Sequence, residues 1–263
     1  MTSPMSRELA AFSPISLAAL NAKAAMLERL DNKYIIPAAQ MALALDALQP
    51  LFDVLEIDGK RSFTYATRYF DDDDRRAYFD HHQGRRKRCK IRLRRYLDAG
   101  FSYLEVKLKD TRDVTVKRRL PVPYDLQVLD ESCLAFIETC YRDQYGEAFG
   151  RPLRASVEMQ YDRITLVARE GGERMTIDSG LGFWSGRMAV NVAPDMVIVE
   201  TKSARANGMA DKVLRRLHLH PTPRCSKYCV AMAALGEVTR ANRFLPALKR
   251  LNLPWVGAGA ALA

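Results

Sequence analysis

Little in this sequence points to cross-linked, membrane-spanning or modular construction. Its five cysteines, Cys89, Cys133, Cys140, Cys225 and Cys229, are odd in number and scattered, which suits a reducing cytoplasm rather than a disulfide framework. No apolar run approaches the eighteen or more residues of a membrane span, and Leu9 to Leu20 is broken by Ser13, Pro14 and Ser16. Arg7 and Glu8 precede that stretch and no small-residue cleavage site follows it, so it does not read as a signal peptide. A Gly/Ser/Pro-rich linker, a composition shift and an internal repeat are all missing, so residues 1–263 read as a single domain. A glycine-rich loop of the G-x-x-x-x-G-K type is missing too, which excludes a backbone phosphate cradle of that kind.

Metal-ligand frames are equally scarce. The four adjacent acids Asp71 to Asp74 lack the spaced oxygens and glycine turn of a calcium loop and read as a solvated turn. The paired His81 and His82 have no Cys or acidic partners at useful spacing and read as a plain loop. In HLHPTPRCSKYC, His218, His220, Cys225 and Cys229 match no zinc frame, and the cysteines read as small apolar residues around a helix start.

What the chain has in excess is positive charge. The formal net charge is +10 and the pI about 9.5, which favours acidic partners such as nucleic acid, an anionic membrane or phosphorylated small molecules. The cations concentrate between Arg85 and Leu120, on alternate positions of three successive strands. Arg88, Lys90, Arg92 and Arg94 oppose Cys89, Ile91 and Leu93. Tyr103, Glu105, Lys107 and Lys109 oppose Leu104, Val106 and Leu108, while Thr115, Lys117 and Arg119 oppose Val114, Val116 and the discordant Arg118. Cations two residues apart on a strand sit roughly 7 Å from each other and repel by about 2.4 kcal/mol at an effective dielectric of 20. Solvated faces dilute such repulsion with acids, yet Glu105 is the sole carboxylate on these faces. A polyanion that occupies the face accounts for its one-sidedness.

An ordered set of further motifs resembles the VTC domain of polyphosphate polymerases, within the triphosphate tunnel metalloenzyme superfamily. It begins with Glu28 and KYI at Lys33 to Ile35 and continues through RYFD at Arg68 to Asp71, IRLRRY at Ile91 to Tyr96, LEVKLK at Leu104 to Lys109 and VKRR at Val116 to Arg119. YDR at Tyr161 to Arg163, RMTID at Arg174 to Asp178, VETK at Val199 to Lys202 and CSKYC at Cys225 to Cys229 follow in the family's order. The resemblance implies an α+β fold: an antiparallel eight-stranded β-barrel, the triphosphate tunnel, with a basic interior and helices packed outside. Its core would run from about residue 27 to 240.

Local patterns fit that outline. A helix is expected at Ser16 to Ala25, a strand at Leu27 to Ile36 and a helix opened by Pro37 and closed by Pro50. Phe63 to Phe70 reads as a strand and Tyr124 to Gly146 as helical. Ala155 to Arg163, Ile164 to Arg169, Arg174 to Ile177 and Met196 to Ser203 read as further strands, with Gly171 and Gly172 as a hairpin turn. Helices are expected at Ser226 to Gly236, capped by Ser226, and at Asn242 to Leu251.

By resemblance, Arg92, Arg94, Lys107, Arg163, Arg174 and Lys227 take catalytic positions. Lys33, Lys117, Arg119, Tyr161 and Ser226 take phosphate-binding ones, with Lys117 and Arg119 left unseparated by parity. Fixed cations suit a triphosphate because its charge is spread over many oxygens, which arginine forks grip in pairs. Phosphoryl transfer also calls for a divalent ion on oxygen ligands; Glu200 resembles the family's metal-binding glutamate, ahead of Glu28 and Glu105, and the ion would be Mn2+ or Mg2+. The implied reaction moves the γ-phosphoryl group of ATP onto a growing polyphosphate chain and releases ADP, in the cytoplasm. A triphosphatase acting on inorganic or organic triphosphates in the same tunnel, and a non-catalytic polyphosphate- or nucleotide-binding module, are the alternatives. Nucleic acid is not expected as a partner, because the basic stretch carries only Tyr96 and Tyr103 on its charged faces.

Overall fold

A computed structural model describes residues 5–23, 30–109 and 115–255. Helix α1 (Ser6–Ala10), strand β1 (Pro14–Ile15) and helix α2 (Leu17–Lys23) lead into strand β2 (Leu30–Pro37). Helix α3 (Ala38–Leu48) then starts straight after Pro37, whose extended backbone serves as its N-cap. Strands β3 (Phe52–Leu55) and β4 (Phe63–Asp71) precede helix α4 (Arg76–Gln83). The basic stretch folds as expected into three strands, β5 (Arg88–Tyr96), β6 (Phe101–Lys109) and β7 (Thr115–Val122). Helix α5 (Glu131–Tyr145) is capped by the Asp130 carboxylate, which accepts from the Cys133 amide at 2.8 Å. Strands β8 (Arg154–Ala168), β9 (Arg174–Ser185), β10 (Met188–Asn191) and β11 (Met196–Ser203) follow. Helices α6 (Met209–Arg216), α7 (Lys227–Ala234) and α8 (Leu245–Arg250) end the described chain.

The main sheet runs β2-β11-β9-β8-β4-β5-β6-β7, with β1, β3 and β10 attached, eleven strands in all among the described residues. Every pairing is antiparallel except that of β1 with β3. The expected eight-stranded barrel is corrected on two points: eleven strands form, and no ladder joins the edge strands β2 and β7 among the described residues, so the sheet is not closed. The additional strands, β1, β3 and β10, are two to four residues long, too short to display a period of two.

The segments 155–163 and 164–169, expected as two strands, are the single strand β8. The apolar parity changes midway along it because its cover changes sides. Val157, Met159 and Tyr161 belong to the cluster around α7, including Tyr228, Cys229 and Met232. Ile164, Leu166 and Ala168 belong to the opposite cluster, with Met41, Leu45 and Leu48 of α3 and Val213 and Leu214 of α6. On neighbouring β9, Gly180 at φ +60° sits in a register shift against β8. This bulge lets Met175 and Ile177 face α3 while Leu181 and Phe183 face α7. Helix α7 thus packs on the same side of the sheet as the basic side chains, so helices are not confined to the outside.

On β5 and β6 the apolar parity does face outward as expected. Cys89, Ile91, Leu93, Leu104, Val106 and Leu108 are buried with Cys133, Ile137 and Cys140 of α5. The discordant Arg118 lies on that helix side and meets Asp143 of α5 at 3.8 Å.

The acid run divides: Asp73 and Asp74 form an exposed turn as expected, while Asp71 and Asp72 are buried, and the histidine pair lies in a helix instead of a plain loop. Asp71 and Asp72 are 2% and 7% exposed. Asp71 accepts from the amides of Ala77 at 2.9 Å and Tyr78 at 3.2 Å, at the start of α4, and from the Tyr228 hydroxyl at 2.5 Å. His81 and His82 lie in α4, and His82 Nε2 is 2.7 Å from Asn242 Oδ1. Replacing Asp71 strips partners from several buried donors at once. Asp71→Ala is expected to lower unfolding free energy by about 2–4 kcal/mol, read as a lower urea midpoint.

Candidate active site on the concave face

Residues directly opposite in a ladder point to the same side, so the register shows which side chains share a face. Lys33 pairs with Glu200, and Lys202 with Arg174. Lys90 pairs with Lys107, and Lys107 with Lys117. On a flat sheet β6 would lie about 24 Å from β11, five strands away, but Glu200 and Lys107 act on each other's charge. The sheet therefore curls, and its basic side is the concave one.

Three carboxylates hold the cations in place. Glu105, 1% exposed, receives Arg92 through Nε at 2.7 Å and Nη2 at 2.6 Å, with Arg94 at 3.8 Å and Lys117 also in contact. Burial alone would raise its pKa, but Arg92, Arg94 and Lys117 together hold it well below the usual carboxylate range. Fully buried Asp178 takes the Arg163 fork at 2.6 and 2.8 Å and the Lys227 ammonium at 2.5 Å. Glu200 meets Lys33 at 3.4 Å and Lys202 at 2.5 Å, and Lys202 also reaches Asp31 at 3.2 Å. Against the upward pull of burial, Lys33, Lys202 and Lys107 keep Glu200 ionised far below its ordinary range.

Hydroxyls and rings link these groups. The Tyr69 hydroxyl accepts from Arg92 Nη1 at 2.8 Å and the Tyr161 hydroxyl from Arg94 Nη2 at 2.9 Å. Ser226 caps α7 through the Cys229 amide and accepts from Lys90 Nζ at 2.9 Å. Arg163 lies over the rings of Tyr65 and Tyr161, and Lys227 over Tyr161. His81 of α4 is kept neutral, its pKa far below the usual value, by the charge of Lys90 first and by burial second.

The structure thus brings Lys33, Arg92, Arg94, Lys107, Lys117, Tyr161, Arg163, Arg174, Ser226, Lys227, Glu105 and Glu200 to one face. Arg119 shares it but stacks on the Tyr103 ring at 4.9 Å instead of joining Lys117 on Glu105. Glu28 lies outside the described residues. Asp178, Lys202 and Asp31 were not singled out from the sequence. Lys202 shares the parity of Glu200, which is a usable signal, whereas nothing local marks Asp178 as the anchor of two cations 15 and 49 residues away.

Among the described residues no three His, Cys, Asp or Glu gather as a metal cage. Glu105 and Asp178 are buried and each committed to an arginine fork, whereas Glu200 is held by lysine ammonium groups alone and keeps 14% of its side chain exposed. Glu200, ionised and near Asp31 through the shared Lys202, fits a small hard cation that takes one or two carboxylates and completes its shell with phosphate oxygens and water.

Lys107 and Lys117 are hemmed in by protein yet open to water, as side chains lining a channel must be. Burial, outweighing the acids nearby, pulls Lys107 down to about 7 and Lys117 to about 8, while channel water works against that pull. Both are charged below those values and lose the charge as pH rises through them. A bound polyanion favours the charged form, so proton uptake is expected to accompany triphosphate binding at pH 8. Calorimetry in buffers of differing ionisation enthalpy is expected to show that uptake, and Lys107→Met to reduce it and flatten the fall in affinity between pH 6.5 and 8.5, about the interval around the two values.

Comparison with solved structures returns a putative adenylyl cyclase from Hippeastrum, described as having a dominant triphosphatase activity, at 15% identity and TM-score 0.48, covering 77% of this chain and 94% of that one. A protein from Pyrococcus horikoshii aligns at 13% identity and TM-score 0.43 over 76% of this chain and 96% of its own. A conserved hypothetical protein from Pyrococcus furiosus aligns at 14% identity and TM-score 0.43, over 78% and 99%. Comparison with curated proteins finds no match. The VTC domain family, by contrast, matches residues 28–236, most of the sequence and all of the strands that carry the concave cations, and the chain belongs to that family.

Proposed function

We propose that this chain is a metal-dependent polyphosphate polymerase that transfers the γ-phosphoryl group of ATP to a growing polyphosphate chain and releases ADP. The observation that carries the reading is the concave face itself, where cations from β2, β5, β6, β7, β8, β9, β11 and α7 outnumber the carboxylates between them. Phosphoryl transfer asks a protein mainly for positioning and charge neutralisation, and this face is built for both. Arg92 and Arg163, their forks held by Glu105 and Asp178, contribute positive charge to the face, Arg94 and Arg174 add guanidinium groups for phosphate oxygens, and Lys33, Lys107 and Lys117 supply point charges. The curled sheet serves as the tunnel in which they act. Tyr161 and Ser226 each accept a hydrogen bond from a cation and retain their own proton to donate to phosphate. Lys227, at the first position of α7, adds its charge where helix amides already favour an anion. Glu200 with Asp31 would hold manganese or magnesium, which neutralises charge on the phosphate oxygens when bound.

Incubating the purified protein with ATP and manganese, and following phosphorus by NMR and by polyphosphate gel, tests the reading. Long-chain product with ADP supports it, free phosphate alone identifies a triphosphatase, and binding without turnover identifies a binding module. Glu200→Gln keeps the side-chain volume and is expected to retain the fold while losing turnover by at least about tenfold at ordinary metal concentration, partly restored by excess metal. Lys227→Met removes a charge-assisted contact of about 1.5–3 kcal/mol, which corresponds to a roughly ten- to hundredfold drop in kcat/KM. Full turnover in either variant places that residue outside the site.

A further inference from the structure

We infer that the aromatic end of the concave face, formed by Phe101, Tyr103, Tyr96 and Arg119, is a stacking platform for the nucleobase of a nucleoside triphosphate donor. This rests on the phosphotransfer reading above and names the part of the site that recognises the nucleoside.

Tyr96 and Phe101 are register partners at the ends of β5 and β6, on the same parity as Arg92, Arg94 and Glu105. They therefore continue the phosphate-binding face beyond its charged section, and Phe101, one step before the alternation read from Tyr103, adds a third ring to the two expected there. Their rings lie 4.6 Å apart by centroid, and Tyr103 lies 5.6 Å from Phe101 and 6.1 Å from Tyr96. Phe101 remains 40% exposed, and the guanidinium of exposed Arg119 covers the Tyr103 ring at 4.9 Å. An exposed phenyl group, two phenols and a planar cation on one surface suit a flat heteroaromatic ring, which gains from aromatic stacking and from a guanidinium plane alike.

The position fits the length of the ligand. Tyr96 lies four residues beyond Arg92, about 13 Å along the strand, a span that ribose and the inner phosphates cover when the terminal phosphate sits near Arg92. At the opposite end, over β2, β8, β9 and β11, packed side chains fill the concave side among the described residues. There α7 packs Tyr228, Cys229 and Met232 against Ile35, Val157, Phe183 and Ile198 in a continuous buried cluster. Inorganic polyphosphate has no apolar part and gains nothing from these rings, so the platform distinguishes a nucleotide donor from the polymer.

The same rings also brace the end of the β5–β6 hairpin, and the test separates that role from ligand stacking. Affinities of the full chain for ATP and for inorganic triphosphate are measured by calorimetry in the presence of magnesium, with thermal unfolding as the check on fold. The wild type is expected to bind ATP more tightly than triphosphate. Phe101→Ala should weaken ATP by about tenfold and leave triphosphate unchanged, and Phe101→Trp should restore ATP affinity. Equal wild-type affinities, or losses for the two ligands in parallel, or no loss for either, overturn the platform while the phosphate face stands. Failure of the wild type to bind either ligand overturns the phosphotransfer reading itself.

Discussion

Mutual repulsion among cations on one curled surface is the constraint around which this molecule is arranged. Two unit charges 7 Å apart repel by about 2.4 kcal/mol at an effective dielectric of 20, and curling the sheet shortens cross-channel separations further. Glu105, Asp178 and Glu200 answer that repulsion in the unliganded chain. Each is nearly or wholly buried, each is ionised by the cations around it, and each ties together side chains from different strands or from a strand and α7. The balance remains positive, so a polyanion entering the channel meets cations already oriented. That pre-arrangement is what phosphoryl transfer requires of a protein.

The same constraint divides the apolar residues. Where the concave side must stay wet and charged, on β5, β6 and the near halves of β8, β9 and β11, the apolar groups go to the convex side beneath α3, α5 and α6. Where α7 enters the concavity, β8 presents Val157, Met159 and Tyr161 to it, and β9 does so after its Gly180 bulge. The helix thereby places Ser226 and Lys227 at the boundary between packed core and charged channel, held by Lys90 and Asp178. Asp71 fastens the arrangement from behind by joining α4 to Tyr228 of α7.

At the other end of the channel, charge gives way to aromatic rings. Tyr65 stacks on Tyr161 at 5.7 Å and meets Tyr96 at 4.9 Å, continuing toward Phe101 and Tyr103. Arg94, Arg163 and Arg119 lie over members of this row. Cations and aromatic rings thus form one surface drawn from strands that are far apart in the chain.

Period-two alternation by itself determined the strands β5, β6 and β7 and the side on which their cations fall, because one residue per half-turn leaves no other choice once one face is apolar. The strand expected at Met196 to Ser203 formed with those bounds as β11, and the cap at Ser226 followed from a polar side chain just ahead of an apolar helical run. The motif order from Lys33 to Cys229 was enough to indicate the family. Only the tertiary structure decided that the sheet stays open, that β8 is a single strand covered from opposite sides along its length, and that the Asp71 to Asp74 run begins as a buried helix anchor rather than a solvated turn. It also decided which carboxylates stand among the cations. Asp178 meets Lys227 and Glu200 meets Lys33 across gaps of 49 and 167 residues, and no local pattern encodes such contacts, which arise only when the sheet curls.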